Sequence, residues 1–390
     1  MRGSLTIRAM PPRPARRIAL DCRYIGPRPS GIAEMVEALA RHLPRLAQEV
    51  EFTFLRNASR SEPLSTAANV REVVVRSPAN GPVTLLHLPL AVNLAGIDLF
   101  HAPANILPGG LTMPAITTVH DVMWLTHPEW CNPRPWGQIE RRFYRRGIIR
   151  ALTRSALVAT VSDASRAAIA AIAPAAAAPV IVTRSGVAKD FRPVARDPAL
   201  LARIGVPPGR RYCLVVGQAA PYKNHEGALR AFALGCGGMA EIDLVLVQRR
   251  AGTGPALDGV VRSLGLGGRV HFVSTIDRAA LVRLYSGATA LLHPSFIEGF
   301  GNPLAEAMAC GCPVITSNCS AMPEVTAGAA LLADPHDPGG IAAALRRVVD
   351  NPALAADLRQ RGLERAAQLD WRQFAADNLA LYRKVLDGVA

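Results

Sequence analysis

Residues 298–306 of this 390-residue chain read Glu-Gly-Phe-Gly-Asn-Pro-Leu-Ala-Glu. That order suits a turn built to hold a ligand. Gly299 and Gly301 permit a tight backbone path with exposed N–H groups, Asn302 is placed to cap the helix that follows, and Pro303 suits its first turn. A helix N-terminus attracts anions, because unpaired N–H groups and the helix dipole both present positive charge there. Phe300, Gly301 and Asn302 supply those N–H groups, and Glu298 and Glu306 flank them. Glu306, one turn in, is placed to accept hydrogen bonds from a pair of ligand hydroxyls. Two carboxylates beside an anion site suit a ligand with phosphate in its middle and hydroxyls at its ends. They suit nucleic acid poorly.

Three further segments carry candidate chemistry. Residues 215–225 read as a strand, a loop and a helix start, and they place Lys223 beside that loop. Residues 117–121 end a strand with His120 and Asp121, the latter placed to orient the imidazole or cap the next turn. Residues 161–166 form a strand-to-helix turn in which Ser162 caps the helix or touches a ligand.

The elements that must position these residues alternate between apolar runs of strand length and helical patterns. In the first half, strands are expected at 16–21, 50–55, 71–75, 98–101, 115–119, 157–161 and 180–183, with an amphipathic helix at 30–43. Residues 187–208, rich in proline and charge, read as a linker. The grammar then restarts, with strands at 212–216, 242–247, 270–273, 289–292 and 313–316 and helices at 224–234, 338–350, 352–367 and 371–386. Alternation of this kind implies parallel sheet covered by helices. Ligands of open α/β sheets sit at the carboxyl ends of the strands, so two such edges facing each other make one cleft.

Length and charge agree. At ~100–200 residues per domain, the chain has room for two. Lys plus Arg number 44 against 30 Asp plus Glu, a formal +14, which points to anionic partners. The seven cysteines are scattered without a paired metal motif and read as reduced thiols. Residues 1–17 are basic and Pro-rich without an apolar core, unlike a secretory signal, and no apolar run reaches the ~20 residues of a membrane span.

The run from Glu298 through Glu306 to Ile315 resembles the signature of glycosyltransferase family 4, in which two carboxylates are separated by seven residues. The resemblance covers roughly residues 18–386. It implies an α/β chain of GT-B architecture, two Rossmann-like domains facing across a cleft, and a retaining, metal-independent reaction. The domains expected are 1–188 for the acceptor and 189–370 for the nucleotide sugar, with a helix at 371–390 packing back on the first. The resemblance implies that Lys223 holds the donor diphosphate, Glu298 grips hydroxyls of the transferred sugar and Glu306 grips the ribose. His120 lies near the transferred sugar, Asp121 and Ser162 are acceptor-side candidates, and Gly31 lets backbone approach the donor. Gln218 stands where the family often has arginine, and Arg249 or Arg250 is a candidate substitute. Glu324 also matches a family position and reads as structural, capping or bracing the Glu298 loop.

Residues 119–129 resemble bacterial mannosyltransferases, which favours GDP-mannose as donor substrate with no separate cofactor. Residues 135–154 carry Arg141, Arg142, Arg145, Arg146, Arg150 and Arg154 against Glu140 alone. Most of the arginines share one broad helical arc, opposite Phe143, Tyr144, Ile148 and Leu152. Such a helix fits an anionic membrane face. A cytoplasmic enzyme peripherally bound there, acting on a polyprenyl-diphosphate-linked saccharide of surface polysaccharide synthesis, is the expectation. Alternatives are a rhamnosyl- or glucosyltransferase of the same family, an epimerase of the same architecture, or a basic nucleic-acid-binding protein. Aromatic residues make up only 5 % of the chain, which disfavours the last.

Overall fold

A computed structural model describes residues 15–26, 30–132, 137–173, 177–248, 254–274 and 276–388. Strands β1 Arg16–Leu20, β2 Val50–Asn57, β3 Val70–Val75, β4 Leu99–Ala102, β5 Ala115–Thr118, β6 Leu157–Thr160 and β7 Val180–Val182 form the first sheet. Its order is β3-β2-β1-β4-β5-β6-β7, with every pairing parallel. Strands β8 Arg211–Val216, β9 Ile242–Val247, β10 Val270–Val273, β11 Ala290–His293, β12 Val314–Ser317 and β13 Ala330–Ala333 form the second. Its order is β10-β9-β8-β11-β12-β13, again parallel throughout. In both sheets the chain starts in the middle, works outward to one edge, then returns to the other side. This is the doubly wound order, with its switch point beside the first strand.

Parallel strands are covered on both faces, which explains their near-continuous apolar runs. Ala290–His293 and Val314–Ser317 are buried at every position. Two expectations need correction. The stretch read as linker contains a helix, Pro198–Arg203, capped by Asp197, whose Oδ1 accepts from Leu200 N at 2.9 Å. Leu200 and Leu201 are buried in the second domain's core, so much of this stretch is part of that domain. The sixth strand of the second sheet, Ala330–Ala333, was not foreseen; it is a four-residue edge strand paired only to β12.

The chain passes between the domains twice, and the passages touch. Val187 N donates to Leu369 O at 3.0 Å. A methyl on Gly186 would lie 2.4 Å from Trp371 N, so only glycine allows this approach. After the second passage, the helix Trp371–Leu386 packs on the first domain. Asp370 caps it by accepting from Arg372 N at 2.8 Å, and Trp371, Phe374, Leu379 and Tyr382 enter a cluster with Leu20, Met35, Leu39 and Ile116. Tyr382 OH lies 2.6 Å from His101 Nδ1, and His101 Nε2 lies 2.9 Å from Thr118 Oγ1. Burial pulls His101 down to about 3, so the imidazole is neutral at ordinary pH.

The last helix therefore holds the first sheet together. Phe374 is fully buried, and Phe374→Ala is expected to cost about 3–5 kcal/mol in urea unfolding. A loss below about 1 kcal/mol would show that the helix is not docked there.

Candidate active site

The carboxyl edges of the two sheets meet at the turn Glu298-Gly299. Ser162 Oγ donates to Gly299 O at 2.6 Å, and the Ser165 hydroxyl is shared between His120 O at 2.8 Å and Gly299 O at 3.3 Å. A methyl on Gly299 would sit 2.5 Å from His120 O, so glycine is required for this approach between domains. Ser162 also accepts from Ser165 N at 3.0 Å and is fully buried. Its hydroxyl thus caps a helix and ties the domains, which is the capping alternative of its sequence reading.

Glu298 lies at the centre. Its Oε1 takes the Lys223 ammonium at 2.6 Å and His293 Nε2 at 2.9 Å. Burial alone would raise this carboxyl; Lys223 and His293 overturn that and hold it well below the usual carboxylate range. Burial pulls Lys223 down, and Glu298 more than offsets it, so the amine stays protonated. His293 is lowered by burial, with Glu298 opposing, and donates as a neutral ring. Ser320 braces the turn, accepting from Glu298 N at 3.1 Å and donating to Glu298 O at 2.9 Å. Glu324, expected near this turn, instead accepts from Asp163 N at 2.8 Å and Ala164 N at 3.3 Å. It caps a first-domain helix from the second domain.

Gly301, at φ +96°, is the cap residue of the helix Asn302–Ala309, without a side-chain capping bond. Asn302 is therefore the first helical residue and not the cap. The N–H groups of Phe300, Gly301 and Asn302 have no partner among the described residues, while the Phe300 ring is buried in the second core. Across the cleft, Ser30 caps the helix Gly31–Leu46 by accepting from Ala33 N at 3.1 Å. A methyl on Gly31 would meet Asn302 Nδ2 at 2.7 Å. Two helix N-termini, one from each domain, thus converge beside Lys223 and Glu298, and their dipoles add positive potential at one place.

His120 is fixed by two bonds: its N–H donates to Asn105 Oδ1 at 2.7 Å, and Nε2 donates to Pro103 O at 2.9 Å. Burial lowers its basicity, so Nδ1 is left as an acceptor on a neutral ring. Asp121 accepts from Met123 N at 3.0 Å, and burial raises its carboxyl. Gln218 is exposed and donates to Tyr222 OH at 2.5 Å, and the Lys223 ammonium stands 5.1 Å over the Tyr222 ring. Arg249 and Arg250 lie outside the described residues. Glu306 Oε2 accepts from Tyr285 OH at 2.8 Å. Burial first, then Glu34 across the cleft, push this carboxyl up to about 7.

The sequence did not single out Tyr285, Glu34, His293 or Ser320. His293 had a visible signal, ending the strand five residues before Glu298. Tyr285 and Ser320 had none, because long-range packing brings them in.

Fold and site together define a glycosyltransferase of GT-B architecture. The sequence profile of the group 1 glycosyl transferases matches residues 198–365. The O-antigen chain mannosyltransferase B of Escherichia coli is 30 % identical over 290 residues, covering 73 % of this chain and 74 % of that protein. The chain belongs to the group 1 glycosyl transferases. A D-inositol 3-phosphate glycosyltransferase of Nocardioides is 34 % identical over half of this chain and 46 % of its own length. Among solved structures, sucrose-phosphate synthase from Thermosynechococcus elongatus superposes with TM-score 0.73 at 21 % identity, covering 96 % of this chain and all of that one. WaaG, a glycosyltransferase involved in lipopolysaccharide biosynthesis, superposes at 0.70 and 17 %, covering 93 % and 98 %.

The Glu306 carboxyl carries a pH signature. Its folded value of about 7 lies above the ordinary 4.5, so ionising it weakens the fold as pH rises between the two. Glu306→Gln removes that penalty. Relative to the parent protein, the variant is expected to gain on the order of 3 kcal/mol in urea unfolding at pH 8 and little at pH 4. An equal effect at both pH values would show that Glu306 is not desolvated.

Proposed function

We propose that this glycosyltransferase moves mannose from GDP-mannose, with retention of configuration, to a lipid-linked saccharide. The observation that carries the reading is the buried Lys223–Glu298 pair beside the unpartnered Phe300, Gly301 and Asn302 N–H groups, between two helix N-termini. Such an array of hydrogen-bond donors suits a departing diphosphate, whose stabilisation is the main electrostatic demand of the transfer. In this reading Lys223 and the free N–H groups take the diphosphate, Glu298 grips sugar hydroxyls, and Glu306 takes the ribose hydroxyls. Glu298 is an ion-paired carboxylate and not a free nucleophile, which favours return from the same face. The leaving phosphate oxygen then takes the acceptor's proton. His120, neutral with Nδ1 open as an acceptor, orients a hydroxyl. The mannosyl preference rests on the Escherichia coli relative and the resemblance of residues 119–129.

The arginine-bearing helix supports docking on an anionic membrane. It spans Gly137–Arg154, and no helix among the described residues is long and apolar enough to cross a membrane. Arg141, Arg142, Arg145 and Arg146 are exposed and have no acidic partner among the described residues. Ile148 and Leu152 are buried beneath them, and Tyr144 stacks on Trp124 at 4.4 Å. Arg150 departs from the pattern. Its guanidinium holds the carbonyl of Leu85, and so anchors the segment bearing the exposed Leu86 (58 %) and Leu90 (81 %). Exposed leucines beside unpaired arginines combine the two attractions an interfacial surface needs.

Three experiments test these readings. Thermal shift against GDP-mannose, UDP-glucose and dTDP-rhamnose is expected to show the largest rise with GDP-mannose. Lys223→Met and Glu298→Gln are each expected to lower transfer at least roughly a hundredfold without loss of fold. Near-parental turnover of Glu298→Gln would end the site assignment; salt-sensitive DNA binding with no nucleotide-sugar response would favour the nucleic-acid alternative. For docking, co-sedimentation with anionic vesicles is expected to fall as salt rises. Replacing Arg141, Arg142, Arg145 and Arg146 by Gln is expected to weaken it about a thousandfold, at about 1 kcal/mol per arginine. Binding indifferent to salt would exclude electrostatic docking.

A further inference from the structure

We propose that Glu34 and Arg278 latch the two domains together over the nucleoside end of the donor site. This makes Glu34 a positioning residue for a substrate held by the opposite domain; the proposal rests on Glu306 holding the ribose. Glu34 lies in the first turn of the helix Gly31–Leu46. The Gly31–Asn302 approach sets that turn against the start of the helix Asn302–Ala309, which carries Glu306 one turn further on. From the second domain, Arg278 reaches across the cleft, its Nη2 lying 3.2 Å from Glu34 Oε1. The arm is steadied on its own side. Arg278 Nη1 lies 3.6 Å from Asp190 Oδ2, and the guanidinium stands 5.6 Å over the ring of Phe191, a buried member of the second core.

The charges explain why such a latch would respond to the ligand. Glu306 faces the Tyr285 hydroxyl, Glu34, Arg278 and Lys223; Glu34 faces Arg278, Asp190 and its own helix neighbour Glu37. The carboxyls of Glu34 and Glu306 come from opposite domains, and their mutual repulsion opposes closure. Arg278 counters it at both. Ribose hydroxyls donating to Glu306 counter it again, so a bound nucleoside favours the closed pair. Glu34 Oε1 is buried and within ion-pair reach of Arg278, yet it has no hydrogen bond of good geometry among the described residues. The pair therefore has room to tighten. Asp190 and Phe191 lie beside the passage between domains at Gly186, which ties the arm to the place where the domains turn.

The test is calorimetric titration with GDP and UDP as probes from pH 6 to pH 9, on the parent protein, Glu34→Gln, Arg278→Gln and the double variant. Each single variant is expected to bind about fivefold more weakly, the scale of one partly exposed ion pair, and the double no more weakly than either. The pH at which affinity rises, set by ionisation of Glu306, is expected to move down in Glu34→Gln and up in Arg278→Gln. Opposite displacements are not produced by general loss of stability. A parent protein that binds neither nucleotide overturns the donor-site reading and the latch with it. A parent that binds, with variants that bind equally or shift the pH midpoint in one direction, overturns the latch alone.

Discussion

A buried carboxylate needs compensation, and the rest of this site follows from how Glu298 obtains it. An ionised group in the interior is costly unless paired and hydrogen-bonded. Glu298 is answered by Lys223 from the loop after β8 and by His293 from the end of β11. Meeting that need brings together the ends of neighbouring strands in the second sheet, since β8 and β11 are paired. The Lys223 ammonium is thereby kept charged while buried. The same turn presents Gly299, whose carbonyl receives Ser162 and whose missing side chain admits His120 O. One short turn thus sets a charge, opens an anion site and makes the domain contact.

The contact between domains is divided among several small ties, polar and apolar. Glu324 caps a first-domain helix from the second domain, Arg184 reaches Glu324 at 3.2 Å, and Trp130 packs at 5.5 Å against Phe296. The main apolar cores lie within each domain, with Val161 and Ala164 of the first domain packing against the second core, and the last helix joins the first core. Interfaces of this kind permit relative motion, because no large apolar area has to separate. A transferase that must admit a donor and exclude water needs such an interface.

The fold was largely legible because parallel strands buried on both faces leave continuous apolar runs, and these recur at βα spacing. Strand ends moved by a residue or so. What the periodicity hid was short: the six-residue helix Pro198–Arg203 behind two prolines, and the four-residue edge strand Ala330–Ala333. At the site, Glu298 and Glu306 stand out on one continuous motif, and Lys223, on a separate loop, pairs with Glu298 across 75 residues of chain. The cap was misplaced by one residue, because φ +96° at Gly301 puts the start of the helix after it. Tyr285, Glu34 and Arg278 left no local trace, since their relation to Glu306 exists only once two helices and two domains are packed. Glu324 shows the same limit. Its match to a motif was visible, but the helix it caps lies about 160 residues away in the chain.

The two glutamates of the motif show how identical side chains take different chemistry from their surroundings. Glu298 is buried and Glu306 half-buried, and desolvation alone would raise both. Glu298 has an ammonium and an imidazole on one oxygen, and stays ionised. Glu306 has a phenol and, across the cleft, another carboxyl, so it lies near its midpoint at neutral pH. Interchanging those surroundings would defeat both. A carboxylate beside Lys223 that readily took a proton would free the ammonium to lose its own. A permanently charged one facing Glu34 would hold the domains apart. The seven-residue spacing serves this separation, placing one carboxylate in the turn before the helix and the other within it. One therefore belongs to the charged floor of the cleft, and the other to the seam where the domains meet.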